Sequence, residues 1–247
     1  MREYKAVVYD ENLGEKGKLD LYLPEKENFP LLLWFHGGSL AKGGREEVAP
    51  LLPYLLENGI GVASASYPLY PDAKYPDFIL AAAKAAAFCY RHLKEYGASK
   101  LFVSGSSAGA YLAMMLCFDP QYLGKYGIAP TDVSGYIHDA GQPTCHFNVL
   151  KERGLDKRRV IVDESAPIYH VGLAETYAPM LFIYSDDDMV NRKEQILLLL
   201  KTLSHFGYDP EKIESVEMHG KHCAYLKNTD YENPWSKTVS QFIKKFS

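Results

Sequence analysis

The sequence predicts a single α/β domain over residues 1–247, built on a mostly parallel sheet with helices on both faces. Three observations carry that expectation. Strand-like and helix-like apolar periods alternate along most of the chain. The run Leu31-Leu32-Leu33-Trp34-Phe35 is apolar without interruption, which suits a strand buried on both faces. Two leading strands are followed by repeated β-then-α units, with no internal repeat, charge run or Pro/Ser-rich linker.

The elements follow in order. Residues 5–10 and 18–23 read as two leading strands joined by a turn-rich stretch, 11–17. Pro30 precedes the strand 31–35. A helix is expected over 46–57, ended by Asn58-Gly59, and a strand over 60–66. The alanine-rich stretch 77–96 reads as a helix closed by Gly97. A short strand at 100–104 leads into a helix over 108–118, stopped before Pro120. Strands are expected at 133–139, 180–184 and 213–218, and helices at 192–206 and 234–246. Pro234 sits in a first helical turn, where its missing N–H is tolerated. The rhythm breaks over residues 140–177, which contain Gly141, Pro143, Gly154 and Pro167 and a short helix near 146–153. An insertion there is expected to be functional, because ligand sites cluster at the carboxyl ends of parallel strands.

Composition excludes several classes. The chain is 47% hydrophobic and 23% charged, with a net charge of -4, which fits neither a disordered chain nor a nucleic-acid footprint. The longest apolar stretches, 79–89 and 196–200, are far shorter than the roughly 20 residues a membrane helix needs. The first residues, Met1-Arg2-Glu3-Tyr4-Lys5, lack a signal-peptide pattern. The four cysteines, Cys89, Cys117, Cys145 and Cys223, form no C-x-x-C and read as reduced thiols of a cytoplasmic protein.

The sharpest local signal is Gly105-Ser106-Ser107-Ala108-Gly109, between a strand and a helix. A nucleophilic serine must stand on a tight strand-to-helix turn, and flanking glycines give the clearance. The pattern selects Ser107 over Ser106, and the helix behind it favours developing negative charge. The second signal is His36-Gly37-Gly38, directly after the strand 31–35. The backbone N–H groups of Gly37, Gly38 and Ala108 are the expected oxyanion donors. An ordinary turn is the plain alternative. A phosphate loop is not matched, since Lys42-Gly43-Gly44-Arg45 lacks the required ending.

Together these residues resemble the α/β-hydrolase esterases related to hormone-sensitive lipase. Residues 36–43 are similar to that family's HGG loop, residues 66–76 to its Y-R-L-x-P segment, and Gly105 to Gly109 to its nucleophile elbow. The resemblance implies an α/β-hydrolase fold with an eight-stranded, mostly parallel sheet. It also implies a short insertion after the sixth strand and no large cap domain. It further implies the chain order nucleophile, acid, histidine. Within Ser185-Asp186-Asp187-Asp188-Met189-Val190 it points to Asp188, with Asp186 and Asp187 as solvated or helix-capping alternatives. Within Met218-His219-Gly220-Lys221-His222-Cys223-Ala224-Tyr225 it points to His222, with His219 the alternative. Three positions depart from the family: Ser39 where a third glycine is frequent, Ala110 where glycine is common, and Ala81 where many relatives have aspartate.

The resulting expectation is a serine carboxylesterase for short acyl esters, on carbohydrate or aromatic alcohols, working through Ser107, His222 and Asp188. It needs no cofactor and no metal: His219 and His222 have no matching zinc-ligand spacing. The expected partner is a small-molecule ester, with no nucleic acid and no membrane; a homo-oligomer is left open. An amidase, formamidase or peptidase on the same fold is the first alternative, and a non-catalytic hydrolase-fold binding protein the second. His138, His146 and His170 could line a substrate pocket, but a surface or hydrogen-bonded histidine is the commoner case and the reading taken here.

Overall fold

Alternation of side chains along a strand sends residues two apart to the same face. In the strand Phe29–Phe35, Leu31, Leu33 and Phe35 enter one apolar layer, while Leu32 and Trp34 enter the other. The uninterrupted apolar run is therefore a strand covered on both sides. In the computed structural model, which describes residues 1–228 and 233–247, it lies near the middle of an eight-stranded sheet.

The strands are β1 (Arg2–Val8), β2 (Lys18–Leu23), β3 (Phe29–Phe35), β4 (Gly61–Ala65), β5 (Ala98–Ser106), β6 (Gly135–Asp139), β7 (Met180–Asp187) and β8 (Ile213–Lys221). Their spatial order is β1-β2-β4-β3-β5-β6-β7-β8. β1 and β2 pair antiparallel, as do β2 and β4; the remaining neighbours are parallel. This is the mostly parallel eight-stranded sheet expected from the sequence.

The helices are α1 (Leu52–Glu57), α2 (Asp77–Arg91), α3 (Leu93–Tyr96), α4 (Ala108–Phe118), α5 (Pro120–Gly124), α6 (Phe147–Glu152), α7 (Arg192–His205) and α8 (Pro234–Phe246). Residues of α2, α4 and α7 build one apolar layer, and residues of α1 and α8 the other. Every residue of α4 is buried. A helix apolar on all sides belongs inside a fold. None of the described helices is long and apolar enough to cross a membrane.

Several boundaries differ from the sequence expectation. The helix expected over 46–57 splits into a 3₁₀ segment, Arg45–Leu51, and the short α1. Pro50 and Pro53 lack the N–H groups that a continuous helix would use. The helix expected over 77–96 breaks at His92 into α2 and α3, and Gly97 closes it with φ 81°. Pro120 does not simply stop α4: it starts α5, whose first turn is capped by the Asp119 side chain accepting from the Gln121 N–H at 3.0 Å. Between β6 and β7 the chain forms α6 and a 3₁₀ turn, Pro167–His170, and is otherwise irregular.

The join of β5 to α4 rests on close backbone contact. A Cβ on Gly109 would lie 2.0 Å from the carbonyl oxygen of Phe35, and one on Gly105 would lie 2.2 Å from the Gly109 carbonyl carbon. Gly109→Ala should therefore destabilise the fold by roughly 1–3 kcal/mol, although alanine is the better helix former. Gly124→Ala, where an added Cβ meets nothing within 4 Å, should stay within about 0.5 kcal/mol of the wild type. Urea unfolding of both variants checks the contrast, and equal midpoints would count against the packing argument.

Candidate active site

The turn from β5 into α4 holds Ser107 at φ 53° and ψ -112°. A side-chain-bearing residue there is strained by about 1–3 kcal/mol and needs its surroundings to hold it. Two backbone bonds do so directly. The Ser107 N–H donates to the Asp139 carbonyl at 2.7 Å, and the Ser107 carbonyl accepts from the Tyr111 N–H at 3.1 Å.

The structure brings Ser107, His222 and Asp188 together. Ser107 Oγ lies 2.8 Å from His222 Nε2, and His222 Nδ1 lies 2.5 Å from Asp188 Oδ1. Asp188 Oδ1 also accepts from the Met189 N–H at 2.6 Å. Burial pushes the Asp188 carboxyl up, but the contact with His222 and its charge outweigh this and hold it below the usual carboxylate range. The three residues come from the ends of three parallel strands: β5, β7 and β8.

The neighbouring acid–histidine pair faces solvent instead. His219 Nδ1 meets Asp186 Oδ2 at 2.7 Å, and the His219 side chain is 98% exposed. His219 and His222 thus point to different partners. Among the described residues no cluster of three or more His, Cys, Asp or Glu is placed to hold a metal.

The loop after β3 packs onto the Ser107 turn. A Cβ on Gly37 would lie 3.4 Å from Ser107 Cβ and 3.2 Å from the Ser106 carbonyl oxygen, so backbone reaches the serine only because no side chain intervenes. Gly38 has φ 98°, and a Cβ there would meet the Lys42 carbonyl oxygen at 2.1 Å. The His36 ring is wholly buried, stacks on Tyr67 with centroids 4.3 Å apart, and is lowered to about 4 by burial. Tyr67 Oη donates to the His36 carbonyl at 2.8 Å. His36 therefore shapes the loop as a neutral ring. Ala108 opens α4, where first-turn N–H groups have no acceptor within the helix.

A cavity of about 660 Å³ opens over Ser107 and His222. Trp34, Pro50, Leu51, Met189 and Leu226 give it apolar walls, and Lys42, Glu47 and Lys227 stand along it.

His138, His146 and His170 do not line this cavity. His138 is 1% exposed among Phe118, Tyr136 and Phe182, and burial lowers it to about 3. His146 caps α6 by accepting from the Asn148 N–H at 3.2 Å. His170 Nε2 lies 2.9 Å from the Glu164 carbonyl oxygen. They are core and capping residues.

Sequence reasoning passed over Asp139, at the carboxyl end of β6. It is fully buried and accepts from Ser106 Oγ at 2.6 Å and from the Tyr225 hydroxyl. Burial lifts its carboxyl to about 6, against the lowering effect of those two hydroxyls. It also passed over Arg192, which is buried yet donates to the Ala140 carbonyl at 2.9 Å and to Gln142 Oε1 at 3.2 Å. An aspartate or arginine at an element end carries no local motif. Their partners, 33 to 86 residues away, appear only in the folded chain.

Several known proteins are similar to this chain in sequence or fold. The BD-FAE family matches residues 19–124. The chain is 29% identical over 152 residues to the probable carboxylic ester hydrolase LipM of Mycobacterium tuberculosis, covering 56% of this chain and 35% of that protein. It is 33% identical over 113 residues to the kynurenine formamidase of Danio rerio, covering 44% of this chain and 37% of that protein. The matched stretches thus span little more than a third of either relative. A truncated carbohydrate esterase from gut microbiota superposes with a TM-score of 0.78 at 17% identity, over 99% of this chain and 96% of that one. The fold is that of the α/β hydrolases. The sequence likenesses, to the BD-FAE family over residues 19–124 and to a probable carboxylic ester hydrolase, are to esterases.

The raised Asp139 carboxyl has a consequence for stability. An acid whose folded pKa lies above its unfolded value binds its proton more tightly in the folded state, so its contribution is full below the unfolded value and is lost as pH rises through the folded one. For Asp139 the window runs from about 4 to about 6. The shift is worth about 3 kcal/mol. The stability of the wild type relative to Asp139→Asn should fall by an amount of that order between these pH values. Urea unfolding from pH 4 to 7 measures it, and a pH-independent difference would show that the carboxyl is not raised.

Proposed function

We propose that the chain is a serine carboxylesterase acting on short acyl esters. The observation that carries this reading is the unbroken hydrogen-bonded line from Ser107 Oγ through the His222 ring to Asp188, beneath an open cavity. In this reading Ser107 Oγ attacks the ester carbonyl while His222 Nε2 takes its proton. The tetrahedral oxyanion accepts from the N–H groups of Gly37, Gly38 and Ala108. His222 then gives the proton to the leaving alcohol, and water hydrolyses the acyl-enzyme by the same route. Asp188 holds the Nδ1–H tautomer and stabilises the imidazolium. Such a mechanism requires no metal or organic cofactor.

The partly apolar cavity suits a small acyl ester, with a carbohydrate or aromatic alcohol lying towards its charged side. One comparison favours a second reading: the likeness to a kynurenine formamidase supports amide or formamide hydrolysis by the same residues.

Ser107→Ala should abolish labelling by a fluorophosphonate probe and lower turnover of p-nitrophenyl acetate by roughly 10⁴-fold or more. His222→Ala should fall comparably, whereas His219→Ala, at the exposed pair, should stay within about twofold of wild type. Loss of activity in His219→Ala but not in His222→Ala would reverse the assignment. A wild-type protein that neither labels nor hydrolyses the ester would end the esterase reading. Parallel rates on aryl esters and on N-formyl arylamines separate the two readings.

A further inference from the structure

The Ser107 turn and the His222 loop belong to different parts of the chain, yet Oγ and Nε2 must stay within hydrogen-bond reach for proton transfer. One buried residue touches both. The Asp139 backbone carbonyl accepts from the Ser107 N–H at 2.7 Å, and Asp139 Oδ2 accepts from the Oγ of the adjacent Ser106 at 2.6 Å. Asp139 Oδ1 accepts from the hydroxyl of Tyr225, three residues beyond His222. Tyr225 is itself fixed, since its carbonyl accepts from Asn233 Nδ2 at 3.0 Å, at the start of α8.

We propose that Asp139 is a positioning residue for the hydrolysis: through its carbonyl and both carboxylate oxygens it locks the turn carrying Ser107 to the loop carrying His222. The inference rests on the serine-hydrolase reading above and adds to it a residue outside the Ser–His–Asp line.

Three features support it. First, Asp139 has no exposed surface, and a carboxylate is expensive to bury unless its oxygens are occupied by donors. Here each oxygen receives one hydroxyl, one from the residue before Ser107 and one from the segment after His222. Second, the strain at Ser107 must be held by its surroundings, and Asp139 supplies the acceptor for its N–H. Third, the carboxyl end of β6 is anchored. The Ala140 N–H donates to the Ile183 carbonyl of β7 at 2.8 Å, and the Ala140 carbonyl accepts from Arg192 at 2.9 Å. The hub is therefore tied to the strand that leads to Asp188. A pure packing role would need no carboxylate: an apolar side chain at the end of β6 would fill the space without drawing two hydroxyls onto one group.

The test uses the full chain with p-nitrophenyl acetate and a fluorophosphonate probe. Asp139→Asn keeps the shape but offers one acceptor and one donor where two hydroxyls now donate. Tyr225→Phe removes a single oxygen, so it keeps the proposal testable if the Asp139 variant does not fold. Both should lower kcat and the rate of fluorophosphonate labelling by about tenfold to a hundredfold, as expected for a small misplacement of reacting groups. KM should stay within about threefold, because neither side chain lines the cavity. Far-UV circular dichroism and a thermal melt verify that the variants are folded at the assay temperature. Folded variants with wild-type kcat and labelling rate, and only a lower Tm, would show that Asp139 is structural alone and overturn the proposal. A rise in KM at unchanged kcat would overturn it as well. Wild-type protein inert to both ester and probe would instead bring down the underlying hydrolase reading together with the proposal; an active wild type with unaffected variants removes only the role of Asp139.

Discussion

The positive φ of Ser107 is the constraint around which the rest of the site is arranged. At φ 53° the serine stands clear of β5 at the head of α4, but a residue with a Cβ does not adopt that angle without support. The support is steric and electrostatic together. Gly105 and Gly109 let strand and helix backbones touch, with the Phe35 carbonyl filling the space a Gly109 side chain would need. The strand that presses from that side is β3, whose next residues form the His36-Gly37-Gly38 loop. One packing contact therefore both holds the serine and delivers the loop beside it.

The stretch between β6 and β7 braces this arrangement and leaves the cavity open. Asn148 of α6 donates to the Ser39 carbonyl in the loop after β3. Gln142 accepts from Arg192 and from the Phe147 N–H, and Thr144 donates to Gln195 of α7 at 2.6 Å. The buried Arg192 guanidinium is satisfied by a carbonyl and an amide oxygen, and burial lowers it only to about 10, so it stays charged. A polar network with its donors and acceptors matched fixes one arrangement of the segments it joins. The irregular stretch is thus tied to the loop after β3 and to α7.

The features legible in the sequence are those whose cause is local. Alternating periods, the apolar run of β3, and the Gly-x-Ser-x-Gly turn each need only neighbouring residues to be understood, and the sheet and the Ser107 turn follow them. Element ends were less legible where two local signals compete. The pattern over 46–57 is helical, but Pro50 and Pro53 divide it. Tertiary polar roles were not legible. Asp139 is the last residue of the expected strand 133–139 and carries no motif, and its partners Ser106 and Tyr225 lie 33 and 86 residues away. The three histidines near the insertion could be read either way from sequence; only burial among aromatic rings and carbonyls decides for the core.

The choice between two acid–histidine pairs shows how the fold resolves what a motif leaves open. Asp186–His219 and Asp188–His222 are built from the same residue types, two and three residues apart along the chain, with ring-to-carboxylate distances of 2.7 and 2.5 Å. Their surroundings differ. The Asp186 side chain is 34% exposed and its histidine 98%, whereas Asp188 is 1% exposed and its histidine 21%. Water screens the outer pair, so its charge attraction is weak and its geometry loosely held. The inner pair lies where the effective dielectric is lower, and each contact there is stronger and more directional. Among the described residues the outer pair meets no hydroxyl, while His222 has Ser107 at 2.8 Å. Gly220, with φ 112°, lies between the two histidines and gives its N–H to Asp186 at 2.8 Å. That bond ties the backbone between the histidines to the outer acid. Asp186 thus holds the backbone at the end of β8 without needing His219, and from there His222 turns inward to meet the serine.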